Sequence, residues 1–140
     1  MDLKDCYKNN FIKKTKIDKE LIKSLLEMSK IKEDIVKNAK LDEVNTSAYL
    51  SIAYDSLREA LEALCILNGY KVTSHTCLGE LLKNLIPDFD FFSFDRFRYI
   101  RNSINYYGTK VDYNQGKEII NKIFKMKSEI IKKYFKNIYS

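Results

Sequence analysis

The clearest helical pattern in this chain of 140 residues lies at residues 46–69, which read TSAYLSIAYDSLREALEALCILNG. Apolar and small residues recur there at steps of four and three, the spacing of one face of an α-helix. They are Tyr49, Ala53, Ser56, Ala60, Ala63 and Leu67. Because most of these side chains are small, a neighbouring helix can approach closely. Gly69 after Asn68 is typical of a helix end, and Asn45 or Thr46 can cap the start.

Four further helices are predicted on either side of this one. Their expected bounds are about 18–40, about 75–86, from Ser93 or Asp95 to Gly108, and about 115–138. Five helices with short links and no strand pattern predict an all-α fold, an antiparallel helical bundle. Residues 1–16 have no clean period, so we expect a basic, loosely held lead-in before a single domain at residues 17–140.

Candidate N-cap residues support the prediction of two of these helices, and a regularly spaced row of apolar residues supports the first. Asp18 is the candidate N-cap of the first predicted helix, and Thr73 or Ser74 is the candidate cap of the helix that follows Gly69. The stripe expected to face the core in the first helix is Leu21, Leu25, Met28, Ile31 and Ile35.

Composition limits the classes of function. A formal net charge of +6 gives a basic surface that attracts phosphate backbones or an acidic partner, although the lysines are spread along the whole chain. No signal-peptide pattern and no apolar stretch of about 20 residues occurs, so we expect a cytoplasmic protein without membrane contact. Cys6, Cys65 and Cys77 have no CxxC spacing, and we expect them to be reduced and buried.

A polar face is predicted in the stretch RYIRNSINYYG at residues 98–108. Arg98, Arg101, Asn102 and Asn105 have helical offsets of zero, three, four and seven, so they share one side of a helix. The planar guanidinium of arginine suits bidentate binding to phosphate or carboxylate. The alternative is that Arg101 pairs with an acid of the 46–69 helix and simply joins two helices. The candidate acids are Asp55, Glu59 and Glu62.

A family resemblance is carried by RNSINYYG at residues 101–108 and by YDSLREALEALCILNGYKVTSHTCLGELL at residues 54–82. Together they resemble the HEPN family of small helical domains, especially the prokaryotic forms that accompany minimal nucleotidyltransferases. The similarity covers about residues 45–110. It implies a homodimer in which two signature helices meet and, in active members, RNA cleavage without metal by paired arginine and histidine.

The signature of that family is matched only in part. Arg101 and Asn102 stand at its arginine and polar positions, but the histidine position, five residues after Arg101, holds Tyr106. With a longer spacing, of seven residues from Arg98, the position holds Asn105. A tyrosine hydroxyl has a reference pKa of about 10, against about 6.5 for histidine, so it is a poor general base at neutral pH. The resemblance therefore implies a degenerate ribonuclease motif, with Arg101 and Tyr106 at the catalytic positions.

Three other residues are candidates for supporting roles. His75, the only histidine, stands at a predicted helix start, where packing and hydrogen bonding is the simpler role and replacement of the missing base is the alternative. By the resemblance, Asp55 or Glu59 orients the signature arginine; a surface ion-pair network along the helix is the alternative. One histidine and no cysteine pair give no basis for a metal site, and no Gly-rich phosphate loop occurs, so no cofactor is expected.

The expected function is binding of RNA or a nucleotide in a toxin–antitoxin or defence setting. The residues expected to contact phosphate are Arg98, Arg101, Asn102, Asn105 and Tyr106. One alternative is an active metal-independent endoribonuclease that uses Arg101 with Tyr106 or His75. Another is an interaction module for a nucleotidyltransferase partner.

Overall fold

The computed structural model describes residues 1–136, which contain six helices and two short strands. The helices are α1 (Leu3–Lys8), α2 (Lys19–Lys37), α3 (Thr46–Leu67), α4 (His75–Leu85), α5 (Phe91–Tyr107) and α6 (Tyr113–Tyr134), and the strands are β1 (Ile12–Lys14) and β2 (Tyr70–Val72). The predicted all-α helical bundle is confirmed. The end of the last predicted helix, at residues 137–138, lies outside the described residues.

Helix α3 is the central element of the bundle. Helices α2, α5 and α6 pack against its sides, and its alanines Ala53, Ala60 and Ala63 are completely buried. The predicted stripe of small residues therefore faces neighbouring helices and lets them approach closely. The approach is tightest near Gly116 of α6, where an added Cβ would overlap Cγ2 of Thr46.

The helix ends follow the predicted capping chemistry in most cases. Asp18 caps α2 by accepting a hydrogen bond from the Leu21 amide at 3.0 Å, and Ser74 caps α4. Gly108 ends α5 in the left-handed conformation, with φ of 64°. The predicted start of α5 is wrong: its N-cap is Asp90, whose carboxylate accepts from the Ser93 amide at 3.1 Å. An aspartate at the N-cap satisfies an otherwise free amide of the first turn.

The face of α2 that packs on the bundle differs from the predicted one. Met28, Ile31 and Ile35 are 44%, 49% and 48% exposed, although the sequence predicts that they face the core. The buried residues of α2 are Ile22, Leu26, Ser29 and Val36. Ser29 is accepted in the interior because its hydroxyl donates to the Ser56 carbonyl at 2.6 Å. The inward face of a helix is predicted from regularly spaced apolar residues, and the polar Ser29 interrupts that spacing on the face that is actually buried.

The inward side of α2 also holds a buried cation. Lys127 of α6 is 4% exposed, and its ammonium group donates to the Ser29 carbonyl at 3.1 Å and to Glu33 Oε1 at 2.6 Å. It also donates to the Ser56 hydroxyl at 3.1 Å. Lys127 therefore ties α2, α3 and α6 together at one point.

The N-terminal segment is more ordered than the loosely held lead-in that we expect from the sequence. β1 pairs antiparallel with β2, with Ile12 opposite Val72, and the Phe11 carbonyl accepts from the Thr73 amide at 2.9 Å. The pairing places the segment directly against the residues that precede α4. Three-residue strands carry too little alternation to be recognised from sequence alone.

All three cysteines are buried as predicted, but the prediction that they are reduced is wrong for two of them. Cys6 of α1 and Cys77 of α4 form a disulfide across 71 positions of the sequence. Spacing along the chain does not show that these two side chains meet, because the contact depends on the docking of α1 against α4. Cys65 is a free, buried thiol as predicted.

None of the helices in residues 1–136 combines the length and the apolar composition that a bilayer-crossing helix needs.

Candidate functional site

The candidate site is organised around Tyr54, a completely buried residue of α3. Its hydroxyl lies 3.2 Å from Nδ1 of His75, the first residue of α4. Its ring stacks on Phe94 of α5 with 5.9 Å between centroids, and Cζ of Arg101 lies 5.7 Å from its ring centre. One tyrosine of α3 therefore contacts both α4 and α5, and it brings His75 and Arg101 to the same side chain.

Arg101 projects from α5 towards α3 and has few polar partners. Its side chain is 16% exposed, and its one ion pair within residues 1–136 is a contact of 3.5 Å between Nη2 and Asp55 Oδ1. Nη1 lies 3.4 Å from Oδ1 of Asn102. The Nε atom is buried and has no hydrogen-bond partner among the described residues. Since a guanidinium has five N–H donors, Arg101 keeps donor capacity for a ligand.

Two further arginines lie in the same region, and each has an acidic partner. Arg58 of α3 donates from Nη1 to Glu62 Oε1 at 2.8 Å, and its Nε lies 3.7 Å from Asp55. Arg98 donates from Nε and Nη2 to Asp95 Oδ1 at 3.0 and 2.9 Å. Both partners lie one helical turn away on the same helix, so these pairs hold the side chains in fixed orientations.

The positive charges act on His75. Burial, together with the charges of Arg58, Arg101 and Arg98, lowers the pKa of its imidazole to about 4 against the opposing effect of Asp55. The imidazole is therefore neutral at pH 7. Burial also raises the pKa of the Tyr54 hydroxyl, although the same arginines oppose that rise. Tyr54 and His75 thus form a neutral hydrogen-bonded pair beside cationic groups.

The structure brings some of the predicted site residues together and separates others. Asp55, not Glu59, is the acid that contacts Arg101, because Glu59 forms its ion pair with Lys32 of α2. Asn105 accepts a hydrogen bond from the Ser51 hydroxyl at 3.0 Å. Asn102 stays beside Arg101.

Tyr106, at the family's histidine position, points away from the other candidates. Its side chain is 72% exposed, whereas Arg101 on the same helix is mostly buried. A spacing of five residues places two side chains on different sides of an α-helix. Of these two residues, it is His75 that contacts the same side chain as Arg101, that of Tyr54.

Sequence reasoning missed Tyr54 and therefore the connection between His75 and Arg101. The signal was its position beside Asp55 and four residues before Arg58, which places an aromatic ring next to the polar cluster of α3. No spacing in the sequence shows that α4 begins against this ring. That contact is set by the docking of the helices.

Comparison with protein-family models, with curated proteins and with solved structures gives no match to this chain. Within residues 1–136 no three or more His, Cys, Asp or Glu side chains cluster in a way that could hold a metal ion. The site offers guanidinium donors, an asparagine amide and a neutral imidazole, a combination that can bind an anion such as phosphate.

Proposed function

We propose that this chain is a HEPN-like protein with a degenerate ribonuclease motif, which binds RNA or a nucleotide through phosphate contacts at Arg101. The observation that supports this most directly is the loose pairing of the Arg101 guanidinium tip, where Nη1 and Nη2 have only long contacts of 3.4 Å to Asn102 and 3.5 Å to Asp55. Phosphate accepts two parallel hydrogen bonds from a guanidinium. A phosphate group would therefore satisfy donors that the fold leaves unused.

The neighbouring groups favour an anion. Asn102 lies at 3.4 Å and adds a neutral amide, and Arg58 and Arg98 lie nearby, each paired with one acid, Glu62 and Asp95 respectively. The net charge of +6 supplies a favourable long-range field for a polyanion. Phosphate contacts of this kind are insensitive to sequence, so the proposal concerns the backbone of the nucleic acid and not its bases.

A second candidate function is RNA cleavage without metal, with His75 as the base. His75 is unprotonated at pH 7 and shares the Tyr54 side chain with Arg101, whereas Tyr106 is exposed. In such a reaction the base takes the proton of the ribose 2′-hydroxyl and O2′ attacks phosphorus, while the P–O5′ bond breaks and the leaving 5′-oxygen takes a proton from water. Arg101 would bind the phosphate oxygens. A pKa of about 4 makes His75 a weak base, so slow cleavage is expected.

The proposal includes a homodimer formed through α5. Phe92, Tyr99 and Tyr106 are 86%, 69% and 72% exposed and follow each other at steps of seven along that helix. A second copy packed antiparallel about Tyr99 would cover this aromatic row, since Phe92 and Tyr106 are equally distant from Tyr99. Arg101 faces α3, on the other side of α5 from this row, so each copy would keep its own Arg101 site.

The biological setting is also part of the proposal. We place the protein in the cytoplasm, in a toxin–antitoxin or defence system, with a nucleotidyltransferase as its natural protein partner. Disulfides are uncommon in a reducing cytosol. The Cys6–Cys77 bridge would persist there only through its burial, because both cysteines are completely inaccessible to solvent.

The binding proposal is tested by fluorescence anisotropy with a labelled single-stranded RNA of mixed sequence at low salt. Arg101→Ala should weaken binding by about tenfold and reduce the slope of log affinity against log salt by about one. Arg96→Ala is the matched control, because Arg96 is an exposed residue of the same helix and its loss changes the net charge equally. Circular dichroism checks that both variants keep their helices.

If Arg101→Ala and Arg96→Ala weakened binding equally, the RNA would be held by general charge attraction, and the proposed site would be contradicted. An unchanged affinity of Arg101→Ala would contradict it as well.

Cleavage is tested separately with the same RNA in EDTA. Activity that is lost in both Arg101→Ala and His75→Gln but kept in Tyr106→Phe would support His75 as the base. If wild type is inactive and Tyr106→His gains activity, the cleft has lost its base at the family position, and the binding function alone remains.

A further inference from the structure

Helix α2 carries an exposed apolar face that no described element covers. We call this face, formed by Leu21, Leu25, Met28, Ile31 and Ile35, the α2 seam. Leu21 and Leu25 are partly buried against the core, while Met28, Ile31 and Ile35 are 44%, 49% and 48% exposed. These residues follow steps of four, three, three and four, the spacing of a helix that packs against another helix.

An acidic row borders the α2 seam. Glu20, Glu27 and Asp34 recur every seven residues and are all exposed. On a helix of 3.6 residues per turn they lie on the side of the seam away from the buried positions of α2. Within residues 1–136 neither Glu20 nor Glu27 has an ion pair, so their charges are not neutralised by the fold. On the other side of the seam, Lys32 is paired with Glu59.

From this arrangement we infer that the α2 seam binds an amphipathic helix of a partner protein, with an apolar stripe and basic residues along one flank. The apolar stripe would cover Met28, Ile31 and Ile35. The basic flank would pair with Glu20 and Glu27, which have no cation of their own. Binding of an amphipathic helix through its apolar side is one of the recurring modes of protein recognition.

A second copy of this chain fits the seam less well. If two α2 helices met antiparallel through it, the acidic row of one would lie beside that of the other. In a parallel pair, the cation facing Glu27 would be Lys32, which Glu59 already engages. The inference does not rest on the proposed function, because the seam is separate from the Arg101 site.

The test uses two synthetic helical peptides of three heptads with the same leucine stripe, one flanked by lysine and the other by glutamate. Binding to the full chain is measured by fluorescence anisotropy. The lysine peptide should bind at least about tenfold more tightly than the glutamate peptide. The overall charge of the protein, +6, predicts the opposite preference, so general attraction cannot produce this result.

Variants locate the binding on the seam. Met28→Asp with Ile35→Asp should weaken binding of the lysine peptide by at least about tenfold. Tyr107→Ser, which alters a more exposed aromatic side chain on α5, should leave it unchanged. Glu20→Lys with Glu27→Lys should reverse the preference between the peptides. Arg101→Ala should not affect either peptide, which separates this inference from the proposed function.

Binding of neither peptide, or an equal affinity for both, would overturn the inference. So would a dimer of the wild-type chain in sedimentation experiments that Met28→Asp with Ile35→Asp converts to monomers, because the occupant of the seam would then be a second copy.

Discussion

The Tyr54 hydroxyl and Nδ1 of His75 lie 3.2 Å apart, so a buried side chain of α3 fixes the first residue of α4. The same tyrosine ring lies under the guanidinium of Arg101. His75 is therefore held neutral beside a cluster of arginines, in a position that depends on three helices. Its ionisation reports on both the fold and the charge of the site.

Stability should decrease as the pH falls from 7 towards 4. The folded chain has a His75 pKa of about 4, while the unfolded chain protonates near the ordinary value of about 6.5. Between these values the unfolded state binds more protons, so the free energy of unfolding rises with pH and is lost on acidification. Urea unfolding at pH 7 and pH 4.5 should show a loss about 2 kcal/mol greater for wild type than for His75→Gln. Equal losses in the two proteins would show that His75 is not held neutral.

The Cys6–Cys77 bridge should stabilise the fold by about 2–4 kcal/mol, because it closes a long loop in the unfolded chain. Replacement of Cys6 by serine should lower the denaturation midpoint by the corresponding amount. Dithiothreitol should destabilise the wild type but not this variant. A wild type that is unaffected by complete reduction, followed by mass spectrometry, would contradict the stabilising role.

The Lys127–Glu33 pair should respond asymmetrically to substitution. Glu33→Gln leaves a buried ammonium group without its carboxylate and should cost about 3 kcal/mol. Lys127→Met keeps the volume, and Glu33 still has Lys37 as a partner, so its cost should be smaller. The comparison is made by urea unfolding at pH 7. A larger cost for Lys127→Met would refute this order.

Gly116 should tolerate no side chain while Thr46 is present. Gly116→Ala places a methyl group against Cγ2 of Thr46, and the overlap should cost about 1–3 kcal/mol. Thr46→Ser removes that methyl group and should recover part of the loss in the double variant. Additive costs of the two substitutions in unfolding experiments would show that the contact is not the cause.

The sequence predicts most of the helices because their signals are local. The stripe around Ala60, the cap at Ser74 and the stop at Gly108 are each encoded within a few residues, and all three are found in the structure. The first helix shows the limit of this reasoning. It has two apolar stripes, and the one with the cleaner period remains at the surface, because the Ser29 hydroxyl on the other stripe finds a partner in the interior, the Ser56 carbonyl.

Features that depend on docking could not be predicted. The disulfide joins residues 71 positions apart, and the Tyr54–His75 contact joins α3 to α4 across a connection without helical period. In both cases the sequence shows which reactive or polar groups are present, but it does not show that they lie close together in the folded chain. The sequence offers Asp55, Glu59 and Glu62 as possible partners of Arg101, and only helix packing selects Asp55.

The most direct test of the phosphate site is the pKa of the single histidine, measured by NMR with and without a bound oligouridylate. A phosphate at Arg101 would offset the positive charges that help to lower the His75 pKa to about 4. The account predicts that RNA raises this pKa by about one unit or more, and that Arg101→Ala removes the change. If RNA saturates the protein and the pKa of His75 does not move, the phosphate is bound elsewhere.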